Sequence, residues 1–415
     1  MWVFVLDFVY YPKLFVFAII LVMERTYIKD LKEKIGEKTK IAGWVDVRRD
    51  HGKLIFVDLR DVTGKIQMVV TPDKKEAHEL AQQVRPEWVV EILGKVKKRP
   101  EKLVNKNEPN GEIEMEVEGL TILNEAETPP IDVSGDGREI DEEVRLKYRY
   151  LDLRRERLQQ NIRSRFKVMQ FIRNELAKEG FTEIETPNLS ATTPEGSRDY
   201  IVPSRLEKGK FYSLPQSPQQ YKQLLMVAGF EKYFQFARCF RDEDTRGDRQ
   251  PEFTQMDLEM SFVSREAVMA LNERLLIDLV KNVYPEKKIQ AIPFPRLSFA
   301  EAIRKHQSDK PDLRMDKKDP NLLAFCWVID FPFFEKNEEI GGWTFTHNPF
   351  SSPKPEHLDW LLKKEKISEI LTTQYDVVLN GFEIGGGSIR NHQPATLKAV
   401  FQIMGYDDER IEKNF

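Results

Sequence analysis

Residues Phe240–Asp257 read FRDEDTRGDRQPEFTQMD. Strand-like runs flank the stretch on both sides, Tyr233–Phe240 before it and Phe253–Phe262 across its end. The pattern predicts two strands joined by a long charged turn. Arg241, Asp242, Glu243 and Asp244 open that turn, and Arg246, Arg249 and Gln250 close it. A guanidinium fork matches phosphate oxygens in pairs, so arginines at this density suit several phosphates of one ligand. A solvated, salt-bridged surface loop is the rival reading of the same residues.

Two further stretches carry chemistry. Phe382–Arg390 reads FEIGGGSIR, and glycines inside an apolar strand imply a close approach to the backbone. Glu383 and Arg390 flank those glycines, and Asp376 lies seven residues before Glu383. Two carboxylates near a phosphate site suit Mg²⁺, which takes oxygen ligands and shares its shell with phosphate. A flexible loop with scattered charges is the alternative. Gln216–Lys222 reads QSPQQYK and opens an apolar helix at Leu224-Leu225-Met226. It is expected to be a helix N-terminus, which leaves Gln219 and Lys222 free to bind.

Around these motifs, Ala324–Asp330 and Val377–Ile384 are further strand candidates. Regular βαβ alternation is missing, which predicts an α+β domain with an antiparallel sheet flanked by helices. Phe166, Met169, Ile172 and Leu176 keep helical spacing within Ile162–Leu176.

Nearer the N-terminus, Ile41–Val47, Leu54–Leu59 and Lys65–Val70 read as strands. A helix over Lys74–Val84 and strands over Trp88–Val96 and Glu112–Leu123 follow. That order is the order of a five-stranded OB-fold β-barrel, although a small β domain of another kind has the same strand count. Thr128-Pro129-Pro130 ends the unit, and the basic segment Arg145–Arg157 leads into the long helix. The expected division is a barrel over 23–128, a hinge over 129–160 and a second domain over 161–415.

The 415 residues are 40% hydrophobic and 32% charged, with 64 Lys+Arg against 68 Asp+Glu and a net charge of -4. This excludes a disordered chain, a polytopic membrane protein and a uniformly basic coat; nucleic acid would be held by local patches. Cys239 and Cys326 are the two cysteines, too few for a disulfide framework or a Cys/His zinc motif, as in a reducing cytosol. In Met1–Val22 the clean apolar run, Leu14–Val22, is short against the about 20 residues of a membrane span. With Met23 next, a start codon placed too early is the expectation for 1–22, and no membrane partner is expected.

Taken together, RRDHGKLIFVDLRD at Arg48–Asp61, LKYRYLDLRR at Leu146–Arg155, TPEGSRDY at Thr193–Tyr200, PQSPQQYKQLL at Pro215–Leu225, FRDEDTRGDRQPEFTQMD and NGFEIGGGSIR at Asn380–Arg390 resemble class II aminoacyl-tRNA synthetases. Within them the resemblance is to bacterial-type aspartyl-tRNA synthetases, and it covers nearly everything from Met23 to Phe415. It implies a cytoplasmic homodimer, with the FTEIETPNL stretch around Pro187 at the dimer interface. It also implies ATP and Mg²⁺, L-aspartate as the amino acid, and tRNA-Asp, or tRNA-Asn as well, as the acceptor.

The resemblance assigns roles residue by residue. Arg241 and Glu243 are the catalytic pair, and ATP is held by Arg241, Asp242, Glu243, Gln250 and Glu383. Asp376 and Glu383 hold the metal. The aspartate pocket takes Glu195 on a mobile loop, then Gln219, Lys222, Asp257, His347 and Arg390. The barrel reads the anticodon with Phe56, Gln67 and Glu114, while Arg49 and Arg99 contact phosphate. Without the resemblance, Phe56 reads as a core residue. His51 leans towards the relaxed tRNA choice and Lys102 towards the strict one.

The chain departs from the family pattern in three places. Lys310-Pro311-Asp312-Leu313-Arg314 runs almost directly into Asp319-Pro320-Asn321, with no inserted domain between them. The sequence stops at Phe415 without a third catalytic motif, from which poor activation of aspartate is expected, and the alternative is a tRNA-binding chain without catalysis. Asn348 follows His347 where relatives often have a second histidine.

Overall fold

The computed structural model describes residues 23–414, apart from 107, 109, 193–194, 246, 248 and 338–340. The expectations for 1–22 and for Arg246 lie outside the described residues. No described helix is long and apolar enough to cross a membrane. The residues group into two units that divide between Asn161 and Ile162.

The first unit is a closed barrel with strand order β1-β2-β3-β5-β4. The strands are β1 (Lys38–His51), β2 (Leu54–Asp61), β3 (Gly64–Val70), β4 (Val89–Lys98) and β5 (Ile113–Asn124). Helix α1 (Lys75–Gln83) lies between β3 and β4 in sequence. Two-residue alternation decides which side chains enter the core. Ile55, Val57 and Leu59 are buried, whereas Phe56, Asp58 and Arg60 between them face outward. Each fully buried aliphatic chain contributes about 1.5–3 kcal/mol, so a one-residue slip of β2 would forfeit all three.

After the barrel come two short helices, α2 (Glu142–Lys147) and α3 (Arg149–Asp152), and then the long α4 (Glu156–Lys178). Within the first unit, side-chain contacts tie the start of α4 to the stretch before α2. Arg155 is fully buried and donates to the carbonyls of Asp132 and Ser134 at 2.5 Å each and to Asp152 Oδ1 at 2.8 Å. Gly137, at φ +73°, lets that guanidinium pass, because a Cβ there would collide with it.

In the second unit, one sheet has the order β10-β9-β6 and another the order β12-β14-β17-β18. The first comprises β6 (Thr182–Glu183), β9 (Lys232–Phe240) and β10 (Glu252–Met260). The second comprises β12 (Arg296–Ser298), β14 (Phe325–Ile329), β17 (Tyr375–Leu379) and β18 (Phe382–Gly387). Two-stranded pairs complete the set: β7 (Ile201–Pro203) with β8 (Phe211–Ser213), β11 (Lys288–Ile289) with β13 (Leu322–Leu323), and β15 (Phe334–Asn337) with β16 (Gly342–Phe345). Helices α5 (Gln219–Val227) and α6 (Arg265–Val283) belong to the same unit, and Leu271 and Leu275 of α6 pack with Ile172, Leu176 and Phe234.

One strand expectation is corrected. Val377–Ile384 is a hairpin, not a single strand, and it turns at Asn380 (φ +53°) and Gly381 (φ +89°). Both turn residues are left-handed, the conformation that Asn-Gly supplies in a two-residue hairpin. The close approach expected at the glycines is made by the chain itself. A Cβ on Gly386 would strike the Asp376 carboxylate, and one on Gly387 would lie 2.6 Å from the Tyr375 hydroxyl.

Candidate active site

β9 and β10 pair in antiparallel register, Phe240 opposite Glu252 and Gln235 opposite Asp257. The charged turn therefore projects from the end of the pair, and Arg241 N–H donating to the Pro251 carbonyl at 2.8 Å closes its base. The Arg241 guanidinium lies over the Phe253 ring at 5.2 Å and donates through Nε to the Gln216 carbonyl at 3.3 Å. Glu243 accepts from the Ser197 hydroxyl, and Asp242 N–H donates to the Arg198 carbonyl at 3.1 Å.

A cleft of about 1770 Å³ opens beside these strands. Lys222, Arg241, Glu243, Gln250, Asp257, Glu383 and Arg390 line it. Glu195, Gln219, Asp242, His347 and Asp376 are not among its walls. The seven lining residues come from segments far apart in sequence, so the fold brings together most of what the motifs suggested.

At the cleft wall lies a buried cluster of alternating charge. Lys222 Nζ is 2.6 Å from Asp257 Oδ1 and 3.2 Å from Glu259 Oε2. Arg390 approaches Glu259 through Nε at 3.3 Å and Nη2 at 3.5 Å. Burial would raise the Glu259 carboxyl, but the Arg390 and Lys222 charges win and hold it below the ordinary carboxylate range. Asp257 Oδ2 at this wall and Gln219 Nε2, on the helix that carries Lys222, are buried and make no hydrogen bond among the described residues. Sequence reasoning missed Glu259. Its signal was present, because Asp257 and Glu259 sit two apart on β10 and so share a face.

Asp376 is 2% exposed and accepts from Gln374 Nε2 at 2.9 Å. Burial first, and the neighbouring Glu383 charge second, push its carboxyl up to about 8. Glu383 pairs with Lys310 Nζ at 2.9 Å. Among the described residues no group of three or more His, Cys, Asp or Glu could hold a metal. The Glu383 charge beside Asp376 is a like-charge pair that a divalent cation with phosphate and water as its remaining ligands would relieve.

His347 stacks edge-on against Phe331 at 4.5 Å, and burial lowers its pKa and keeps the ring neutral. Asn348 accepts from Phe350 N–H at 3.1 Å and from the Ser351 hydroxyl at 3.3 Å. Ser351 in turn bonds Ser388 at 2.9 Å, and Ser388 accepts from Arg390 Nη1 at 3.2 Å. Asn348 thus supports the arginine through two serines.

On the barrel's outer face, four of the five anticodon candidates form one string. Arg49 forks onto Asp58 at 2.6 and 2.9 Å and reaches Gln67 Oε1 at 3.4 Å. Gln67 donates to Glu114 at 3.4 Å, and Arg99 lies 3.9 Å from Glu114. Phe56 stands across from Arg49 in register and meets the His51 ring edge-on at 5.5 Å. It is half-exposed, which removes the core reading. Arg99 is largely covered there: its side chain is 7% exposed and its Nε donates to the Ile113 carbonyl at 3.1 Å. Lys102 is exposed on the short segment Glu101–Leu103.

Comparison with known proteins decides the family. The profile described as tRNA synthetases class II (D, K and N) matches residues 141–415. The chain belongs to the class II tRNA synthetases. An OB-fold nucleic acid binding domain matches residues 39–123. The synthetase is 38% identical to an aspartate–tRNA(Asp/Asn) ligase of Rubrobacter xylanophilus, over 92% of this chain and 83% of the relative. It is 37% identical to an aspartate–tRNA ligase of Macrococcus caseolyticus, over 92% and 85%. Its fold is shared with an asparaginyl-tRNA synthetase of Pyrococcus horikoshii solved with asparaginyl-adenylate, at TM-score 0.75 and 23% identity, covering 94% and 89%. An aspartyl-tRNA synthetase of Entamoeba histolytica follows at TM-score 0.71 and 21% identity, covering 94% and 83%. The synthetase is therefore an ATP-using enzyme of the aspartyl/asparaginyl type, and the relatives give no support to binding without catalysis.

Proposed function

We propose that this synthetase activates L-aspartate with ATP and transfers it to tRNA-Asp. The observation that carries the reading is the pair of unpartnered buried atoms, Asp257 Oδ2 and Gln219 Nε2, in a cluster that also holds the Lys222 and Arg390 cations. An unmet buried donor or acceptor costs about 1–3 kcal/mol, and a small zwitterion bearing an extra carboxylate would satisfy both. Asp257 Oδ2 would accept from the ammonium, Gln219 Nε2 would donate to a carboxylate oxygen, and Arg390 would take the side-chain carboxylate through its fork. Glu195 and Lys222 complete the charge balance, with His347 as a neutral neighbour.

Arg241 would hold the α-phosphate, with Asp242, Glu243 and Gln250 on the nucleotide. Asp376 and Glu383 would hold Mg²⁺, which neutralises phosphate charge. Rate enhancement then rests on positioning the carboxylate in line with the α-phosphorus and on Arg241 facing the charge that develops there. Neither cysteine is needed: burial pushes the Cys239 thiol up to about 12 and that of Cys326 to about 11.

Charge should separate aspartate from asparagine, whose amide would leave Arg390 facing a neutral group. Calorimetry is expected to give L-aspartate a Kd at least about tenfold below that of L-asparagine, the difference between a charge-assisted and a neutral hydrogen bond. Equal affinities would overturn the amino-acid assignment.

The domain plan we propose is an anticodon module over 23–128, a hinge over 129–160 and a catalytic domain over 161–415, working as a cytoplasmic homodimer. In the module, Phe56 would stack on a base while Gln67 and Glu114 meet base edges and Arg49 and Arg99 serve the backbone. Phe56→Ala is expected to weaken tRNA binding in a filter assay about 5- to 100-fold, the worth of one base stack. Its thermal stability should barely move, because the ring lies outside the barrel core. His51 and Lys102 point to opposite tRNA choices, and charging purified tRNA-Asp and tRNA-Asn in parallel separates them.

A further inference from the structure

Gln216 is a polar side chain that the proposed chemistry leaves unused, although it is only 1% exposed. It sits in the strip Ser213–Ser217, which runs from β8 towards α5 and holds Ser190 and residues 197–200. Ser190 and Ser213 exchange two main-chain hydrogen bonds at 2.9 and 2.8 Å, and Leu214 N–H donates to the Tyr200 carbonyl at 2.8 Å. Those contacts fix Ser190 and Tyr200. Gln216 holds Ser197 and Asp199 between them. Its Oε1 accepts from Ser197 N–H at 3.0 Å, and its Nε2 donates to the Ser197 carbonyl at 2.8 Å and to Asp199 Oδ1 at 2.5 Å. A side-chain amide that meets a main-chain amide in both directions imitates the two-bond exchange of an antiparallel pair. Both Nε2 protons and one lone pair of Oε1 are thereby used, which leaves Gln216 little capacity to bind a ligand directly.

The same residue reaches the other half of the site through its main chain. The Gln216 carbonyl accepts from Arg241 Nε at 3.3 Å, and the adjacent Pro215 carbonyl accepts from Phe240 N–H at 2.9 Å. Ser197 stands two residues from Glu195 and donates to Glu243, while Ser217, next to Gln216, donates to Glu195. The segment carrying the aspartate-binding carboxylate and the turn carrying the phosphate-binding arginine are therefore fastened to one residue, the first by its side chain and the second by its backbone.

We propose that Gln216 is the positioning residue that sets Glu195 against the arginine turn, so that its side chain governs affinity for the amino acid while its carbonyl seats Arg241. The inference rests on the proposed aspartate site. It separates the two functions of the residue, because a substitution removes the amide and keeps the carbonyl.

Gln216→Leu keeps most of the volume and deletes all three side-chain hydrogen bonds. Gln216→Glu keeps the shape and the acceptor for Ser197 N–H, but has no donor and places a charge beside Asp199. In each variant the Kd for L-aspartate is expected to rise about tenfold or more, the worth of two net hydrogen bonds. The Kd for ATP should stay within about twofold, since no contact to the nucleotide is removed. Hydrogen exchange on the ligand-free protein should speed up at 195–199 and stay slow across β9 and β10. An equal rise in both Kd values with faster exchange in β9 and β10 would mean a merely structural role and overturn the proposal. Unchanged aspartate affinity with 195–199 still protected would also overturn it. If the unmodified protein binds no aspartate, the amino-acid assignment fails instead, and exchange at 195–199 still decides whether Gln216 is the anchor.

Discussion

Arg390→Leu is expected to weaken L-aspartate binding about 100- to 1000-fold, the loss typical of truncating one partner in a buried, hydrogen-bonded charge pair. The guanidinium lines the cleft, is backed by Glu259 and is steadied by Ser388. Leucine removes the fork and leaves an apolar wall that cannot compensate a carboxylate taken out of water. Arg390→Lys keeps the charge and loses the bidentate geometry, so it should fall between the two, about tenfold weaker than arginine. Calorimetry with L-asparagine is the control for charge. The aspartate preference should shrink towards unity in the leucine variant, because the group that distinguishes carboxylate from amide is gone. Folding should survive, since Glu259 keeps Lys222 at 3.2 Å. An aspartate Kd within about threefold of the parent, in a protein with an unchanged melting temperature, would remove Arg390 from the pocket.

Glu259 shares a strand face with Asp257, but its pairing with Arg390 is hidden by distance along the chain. Arg390 and Glu259 are separated by 131 residues, and no local pattern reports a contact of that span. The barrel was legible because its cues are local: buried and exposed residues alternate along β2, and Gly and Asp mark its turns. At 377–384 the turn signal is Asn380-Gly381, and Gly385–Gly387 belong to the second strand of that hairpin, so continuous apolar character across the turn reads as one strand. Arg99 reads as a surface contact, and the hydrogen bond from its Nε to the Ile113 carbonyl is a further tie that no local pattern reports. Asp376 and Glu383 were legible as a pair. Burial of one and exposure of the other required the sheet, in which Asp376 lies opposite Gly386 and inward while Glu383 meets Lys310.

Glu259→Gln should produce the largest stability change among single substitutions in the cluster. Glu259 carries the negative charge shared by Lys222 and Arg390, and its side chain is 11% exposed. Breaking a buried pair from one side costs about 3–5 kcal/mol. The glutamine carbonyl still accepts from Arg390, and Lys222 retains Asp257 at 2.6 Å, so a loss of about 2–3 kcal/mol at neutral pH is the expected outcome. The pH dependence has a fixed sign. The folded pKa of Glu259 lies below its unfolded value of about 4.3, so its contribution is fully present above that value and is lost as pH falls through the folded one. Parent and variant should therefore differ most above about pH 5 and converge in more acidic solution, where the parent's own carboxyl becomes protonated. Denaturant unfolding of both proteins across this range measures the gap directly. A gap that stays constant from neutral to acid would mean that the charge of Glu259 contributes nothing, and that the packing of its side chain accounts for the whole effect.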